Sequence, residues 1–244
     1  LAAALQQKKK RVLLIDMDGQ ANLTESCGLS IEEERTVYGA MKGEYTLPVF
    51  ELENGLSVVP SCLDLSATES ELINEPGREL ILKGLIAKLL EARKFDYILI
   101  DCMPSLGMMT INALAAADRV IIPSQPSFLS TKGLNQLMHS VAKVKRQINP
   151  RLNIDGILLT MVDNRTNNAK AISTALRAAV SDRVRVFDTQ IPFSVRAAES
   201  AQEGQSIFAY DKGGKVAAAY EAVTKEVLEH ESKERRRSRS DGVR

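Results

Sequence analysis

The chain has 244 residues, 44% hydrophobic and 26% charged with no tryptophan, a composition that supports a sizeable buried core and excludes a disordered or fibrous protein. Lys+Arg 32 against Asp+Glu 31 leaves a net charge of +1, so nucleic acid is not attracted by global charge and any basic surface must be local. Cys27, Cys62 and Cys102 lack the short spacing of a zinc or iron–sulfur site, and the cysteine pattern, without any apolar run near the roughly 18 residues of a membrane span, predicts a soluble cytoplasmic protein.

Leu1 to Leu5 reads as the end of a helix already under way, without a cap or lead-in, as a fragment would begin. Val12-Leu13-Leu14-Ile15 is a continuous apolar run, the habit of a strand buried on both faces in a parallel sheet. It runs into the acidic loop Asp16-Met17-Asp18-Gly19-Gln20. Ala21 to Leu29 reads as a short helix closing near Gly28, and residues 31 to 55 read as polar and irregular. Leu56 to Ser61 is a strand stopped by Pro60, and the apolar spacing from Leu80 to Leu90 predicts a helix over 79–93.

A second buried strand, Tyr97-Ile98-Leu99-Ile100, then runs into Asp101-Cys102-Met103-Pro104-Ser105. Helices are predicted over Thr110–Ala117, Leu134–Val144, Ala169–Val180 and Val216–Leu228, with strands at Arg119–Ile122, Ile154–Thr160 and Val184–Phe187 between them. Strands alternating with helices mean right-handed crossovers, so the fold class is α/β, a mostly parallel sheet flanked by helices. Residues 1–228 read as one domain, and the charged stretch 229–244, without apolar residues over Lys233 to Arg239, reads as a disordered tail.

Two strands that deliver carboxylates to the carboxyl edge of such a sheet suggest a polyanion held through a divalent metal. Asp101 alone, or Asp16 and Asp18 alone, are as readily loop caps as chemistry. Their combination with further motifs is more specific. Arg11 to Thr24, Phe95 to Gly107, Thr110 to Leu114, Ile121 to Gln125, Leu158 to Thr166, Ile191 to Arg196 and Glu203 to Asp211 resemble, in order, the ParA/Soj family of partition ATPases with a deviant Walker A motif. The likeness spans about residues 1 to 228 and looks most like the partition proteins of conjugative elements.

The resemblance implies ATP and Mg2+ as ligands, with Asp18 orienting the attacking water and coupling to magnesium, and Asp16 nearer the phosphates. It makes Asp101 the Walker B carboxylate on the magnesium side and places Pro192 in the loop that lines the base and the dimer interface. Arg165 and Arg196 match arginines that grip DNA without sequence preference. A homodimer with ATP, a nucleoid location and a ParB-like partner that stimulates hydrolysis follow from the same likeness. Gly19 departs from it, standing where the family has proline or alanine.

The glycine- and lysine-rich phosphate loop of the family occurs nowhere from Leu1 to Arg244, nor does the strand that carries it. The expectation is an amino-terminally truncated chain that neither binds nor hydrolyses ATP appreciably, with an exposed sheet edge that favours instability. The alternatives are a MinD-like membrane-associated division ATPase, disfavoured by an end without an apolar face, and a non-catalytic binding scaffold. An iron–sulfur ATPase would need a second ligand beside Cys102.

Overall fold

The computed structural model describes residues 1–244 except 104, 106, 127–129, 164–166, 181–183 and 242–244. In chain order the elements begin with α1 (Ala2–Gln7), β1 (Val12–Met17), α2 (Asn22–Ser26), α3 (Val37–Met41), β2 (Phe50–Glu51) and β3 (Ser57–Val59). Next come α4 (Thr68–Glu71), α5 (Ile81–Ala92), β4 (Tyr97–Cys102), α6 (Met108–Ala116), β5 (Arg119–Ser124) and α7 (Ser130–Gln147). The chain continues through β6 (Asn153–Leu159), α8 (Asn167–Val180), α9 (Val195–Gln202), α10 (Ile207–Tyr210) and α11 (Lys215–Asp241). Short 3-10 turns at Leu63–Ala67 and Arg78–Leu80 flank α4.

The strands form two sheets, one ordered β2-β3-β1-β4 and one of β5-β6. β1 runs parallel to both β3 and β4, and β5 runs parallel to β6; only β2 pairs antiparallel. All six residues of β1 are buried, which is why its sequence carries no polar alternation before Asp16.

Side-chain alternation splits the first sheet into two cores. Leu13, Ile15, Ile98, Ile100 and Cys102 pack with α3, α5 and α6, while Val12, Leu14, Tyr97 and Leu99 pack with α1, α2 and Leu228 of α11. The second sheet repeats the pattern. Ile122, Ile157 and Leu159 face α7 and α8, and Ile121 and Leu158 face Phe187, α9, α10 and α11. Leu114 of α6 also joins Val120 and α7, so α6 spans both halves on one face, as α11 does on the other.

Four expectations need correction. The stretch 31–55 is not irregular throughout: Val37, Ala40 and Met41 bury a helical face in the core, and Phe50–Glu51 forms an edge strand. The strand expected at Arg119–Ile122 runs on through Pro123 to Ser124. Val184–Phe187 gives only an isolated bridge, Val186 to Ile157, rather than a strand.

The tail expectation fails most instructively. α11 continues to Asp241, well into 229–244. Tyr97 Oη donates to Glu231 at 2.5 Å, His230 Nδ1 lies 2.5 Å from Asp155, and Arg119 pairs with Glu234. Composition counts this stretch as solvated, whereas the fold uses His230, Glu231 and Glu234 to seat the helix.

Candidate active site

The β1–β4 ladder places Asp16 opposite Asp101, one residue before the end of each strand. Both share the side-chain parity of Leu14 and Leu99, so both carboxylates face the α1 side. This is the carboxyl edge of a parallel sheet, where open α/β folds bind their ligands.

Asp16 is fully buried and its oxygens are committed. Oδ2 accepts from Thr24 N at 2.9 Å and Thr24 Oγ1 at 2.7 Å, and Oδ1 accepts from Asp18 N at 3.1 Å. Thr24 Oγ1 accepts in turn from Ser61 N at 2.9 Å, so one carboxylate ties the end of β1 to α2 and to the chain leaving β3. Burial pushes the Asp16 carboxyl above the usual range even though these hydrogen bonds oppose the shift. In this geometry Asp16 acts as a clamp that sets the loop through three hydrogen bonds.

Asp18 is half-buried and accepts from Gln20 N at 2.9 Å through Oδ1, an Asx turn that fixes the backbone beyond the strand. The loop closes tightly against the turn after β3. A Cβ at Gly19 would lie 2.2 Å from Ser66 Oγ and 3.2 Å from Ser66 N, so the absence of a side chain at 19 permits this approach. The next segment reaches the start of α6, where Glu69 Oε1 accepts from Met108 N at 2.5 Å. A carboxylate there complements the exposed N–H groups and positive end of the helix.

Asp101 differs from Asp16 in being reached by solvent at the floor of a concave edge. Its surroundings, then the charges of Asp16 and Asp18, push its carboxyl up to about 6. Burial first, then the charges of Asp101, Asp16 and Asp18, push the Cys102 thiol up to about 12, so it stays protonated at neutral pH.

Among the described residues no three acidic, histidine or cysteine side chains converge to form a metal cage. Magnesium does not require one, since it takes one or two carboxylates and fills its octahedron with waters and phosphate oxygens. Asp101, accessible and surrounded by uncompensated negative charge, fits that role. Asp16 is buried and holds three hydrogen bonds, so Asp101 is the more open of the two carboxylates.

A cavity of about 500 Å³ opens beside Asp101, lined by Leu14, Leu99, Gly204, Gln205 and Phe208 among others. A groove of about 610 Å³ along α11, near Lys8 and Lys225, is larger but holds none of these carboxylates. Size therefore does not mark the site; the strand-end acids do.

The other expected site residues are spread along the rim of the second sheet. Pro192 forms a parallel bridge with Val162 beyond the end of β6, and Phe193, next to it, is 51% exposed. Arg196, with its side chain 64% exposed, pairs with Asp211 Oδ1 at 3.0 Å. Arg165 lies outside the described residues. Thr24, Ser66 and Glu69 shape the site without having been singled out in the sequence. A threonine eight residues after Asp16 is a weak signal, and the contacts of Ser66 and Glu69 have none.

Taken together, a mostly parallel sheet with helices on both faces and acids at two neighbouring strand ends defines the P-loop type of α/β nucleotide-hydrolase fold. The sequence matches the model of an AAA domain over residues 1–154. It is 39% identical over 240 residues to the chromosome partitioning protein ParA of Myxococcus xanthus, covering 95% of this chain and 82% of that one. It is 38% identical over 234 residues to the sporulation initiation inhibitor protein Soj of Bacillus subtilis, covering 93% and 90%. The chain belongs to the ParA/Soj family of partition ATPases.

Solved structures agree. A plasmid partition protein from Borrelia burgdorferi bound to AMPPNP superposes with a TM-score of 0.75 at 25% identity, covering 95% of this chain and 90% of that one. Cobyrinic acid a,c-diamide synthase from Mycobacterium smegmatis, with bound ADP and magnesium, gives 0.73 at 32% identity and 88% of each chain.

Proposed function

We propose that the protein is an ATP-dependent partitioning protein that forms a Mg-ATP-switched dimer, binds DNA without sequence preference and hydrolyses ATP when a ParB-like partner stimulates it. The observation that carries this reading is the register pairing of Asp16 with Asp101, with Asp18 directly beyond, in a chain that shares more than a third of its residues with partition proteins. Bound magnesium would neutralise phosphate charge at this edge. Asp101 would hold it through its water shell, Asp18 would orient the attacking water, and Asp16 would keep the Asp18 backbone in place.

Arg165 and Arg196 supply the DNA contacts in this proposal, as a charge effect on the phosphate backbone that needs no base recognition. Pro192 and the exposed Phe193 lie on the rim where a second copy and the base would meet. A nucleoid location follows from DNA binding in the ATP state. The described helices include none long and apolar enough to cross a membrane.

Residues 1–244 contain the carboxylates but no glycine-lysine phosphate loop, so these residues alone are expected to show no tight ATP binding by calorimetry. The test of function joins them to the first strand and phosphate loop of the Bacillus subtilis relative. That chimera should hydrolyse ATP in the presence of magnesium, and Asp18→Ala should remove turnover while leaving ATP-driven dimerisation. A folded chimera without ATPase activity would overturn the reading.

A further inference from the structure

The groove of about 610 Å³ along α11 holds none of the strand-end carboxylates. Its α11 wall carries Ala218, Ala222, Lys225, Glu229, Ser232 and Arg236. These positions follow one another at alternating steps of four and three residues, the period of a seam that receives another helix. Ala222 is half-buried and the other five are exposed, while Val216, Val223 and Val227 bury the opposite side of the helix in the core. At 1.5 Å per residue the seam is about 27 Å long.

The seam is its own complement when reversed. Lys225 and Glu229 stand equally far from position 227, as do Ala222 and Ser232, and Ala218 and Arg236. Two copies of α11 packed antiparallel about a twofold axis at that level set Lys225 of each against Glu229 of the other. Small Ala222 then faces small Ser232, and the Arg236 stem lies over Ala218. The row beside the seam behaves likewise, with Glu221 against Arg235 and Leu228 against Leu228 of the second copy. A parallel pair would set Lys225, Glu229 and Arg236 each against itself, so charge selects the antiparallel one. Within the chain Lys225 and Glu229 meet only at 3.9 Å, with side chains 76% and 55% exposed, so both can exchange partners.

We propose that this outer face of α11 is an interface with a second copy of the chain, a twofold antiparallel helix pair that forms without nucleotide. Its seam is half polar, which suits a reversible association rather than an obligate dimer with an apolar interface. The pairing surface is the solvent side of a helix that covers the sheet. It is separate from the ATP-driven dimer proposed for the carboxyl edge, and its test uses no nucleotide.

Sedimentation equilibrium of the 244-residue chain at low salt tests it. A reversible monomer–dimer equilibrium is expected, weakening as salt screens the paired charges. Lys225→Glu puts like charges opposite each other at two symmetric places and should weaken the dimer about tenfold or more. Adding Glu229→Lys exchanges the two charges and should restore dimerisation to within about threefold, because the cross-copy pairs form again. Ala222→Arg places bulk in the seam and should leave a folded monomer with an unchanged far-UV circular dichroism spectrum, which keeps the test independent of how Lys225→Glu folds. A chain that stays monomeric at several hundred micromolar overturns the proposal. So does a dimer indifferent to Lys225→Glu and Ala222→Arg, or one that the charge exchange fails to restore.

Discussion

Asp16 and Asp101 are register partners on adjacent parallel strands, each the penultimate residue of its strand, with both carboxylates on the α1 face. The pairing concentrates negative charge at a sheet edge, and the shifts follow. Desolvation by the protein packed around its solvent-reached carboxyl, then Asp16 and Asp18, push Asp101 up to about 6, and burial raises Asp16. An unfolded aspartate titrates near 3.9, so the folded state holds these protons more tightly than the unfolded chain does. The contribution of Asp101 to stability is thus fully present below about pH 4 and is lost as pH rises through about 6. Asp101→Asn should remove this dependence. Urea midpoints of the two proteins between those pH values should diverge steadily; parallel curves would show that Asp101 titrates normally.

Glu226 supplies the opposite sign. Burial would raise its carboxyl, but N–H donors from Thr189 and Asp188 and the Arg185 guanidinium more than offset this and hold it below the usual range. Its stabilising share is present above the unfolded value and is lost as pH falls through the depressed one. Glu226→Gln should therefore reduce the acid-side loss of stability without altering the Asp101 effect.

The commitment of both Asp16 oxygens makes a sharper stability prediction than a catalytic one. Asp16→Ala leaves Thr24 N, Thr24 Oγ1 and Asp18 N without their acceptor in a buried setting. The expected cost is about 3 kcal/mol, from unsatisfied buried donors at roughly 1–3 kcal/mol each with partial relaxation. Urea unfolding measures it. A loss under about 1 kcal/mol would mean that the clamp is weak and that Asp16 is held for another reason.

Much of this edge was legible in the sequence because its determinants are local. Val12 to Ile15 and Tyr97 to Ile100 are apolar without alternation, a pattern that only a strand covered on both faces sustains. The role of Asp16 was not legible, since its partner Thr24 lies across a turn whose residue Ala21 takes a left-handed φ of 54°. α3 was missed because five residues with a glycine among them give too little helical period. The α11 extension was missed because its support comes from Tyr97, Arg119 and Asp155, residues remote in sequence that no composition rule connects.

Gly19 and Ser66 form a pair that a double-mutant cycle can separate. Gly19→Ala places a methyl 2.2 Å from Ser66 Oγ, which must rotate or shift, and 3.2 Å from its backbone N. The expected cost is about 1–2 kcal/mol of overpacking. Ser66→Ala removes the nearer atom, so the double variant should recover most of the loss. Additive effects would show that the two loops do not meet in solution.

Arg196 separates function from stability in the proposed partition protein. Its side chain is 64% exposed and its partner Asp211 20%, so the pair is only partly buried and worth about 1 kcal/mol. Arg196→Glu should leave the unfolding midpoint nearly unchanged while sharply weakening salt-dependent DNA retention in the ATPase-competent chimera. DNA binding that survives with its salt dependence intact would remove Arg196 from the DNA contacts.

α11 gives a final test, because it joins the two half-sheets at their amino-terminal end. Ending the chain after Leu228 deletes the partners of Tyr97, Arg119 and Asp155 together. The Asp155 side chain, 1% exposed, then keeps only Arg119 at 3.0 Å. Losing hydrogen bonds to charged groups at about 1.5–3 kcal/mol each implies a total of several kcal/mol. The loss falls on the contacts that tie β4 to β5 and β6, so the two halves should also lose cooperativity. Unfolding followed at separate probes in each sheet should change from one coincident transition to two. A shortened chain that still unfolds in a single transition would mean that α6, on the opposite face, suffices to couple the halves.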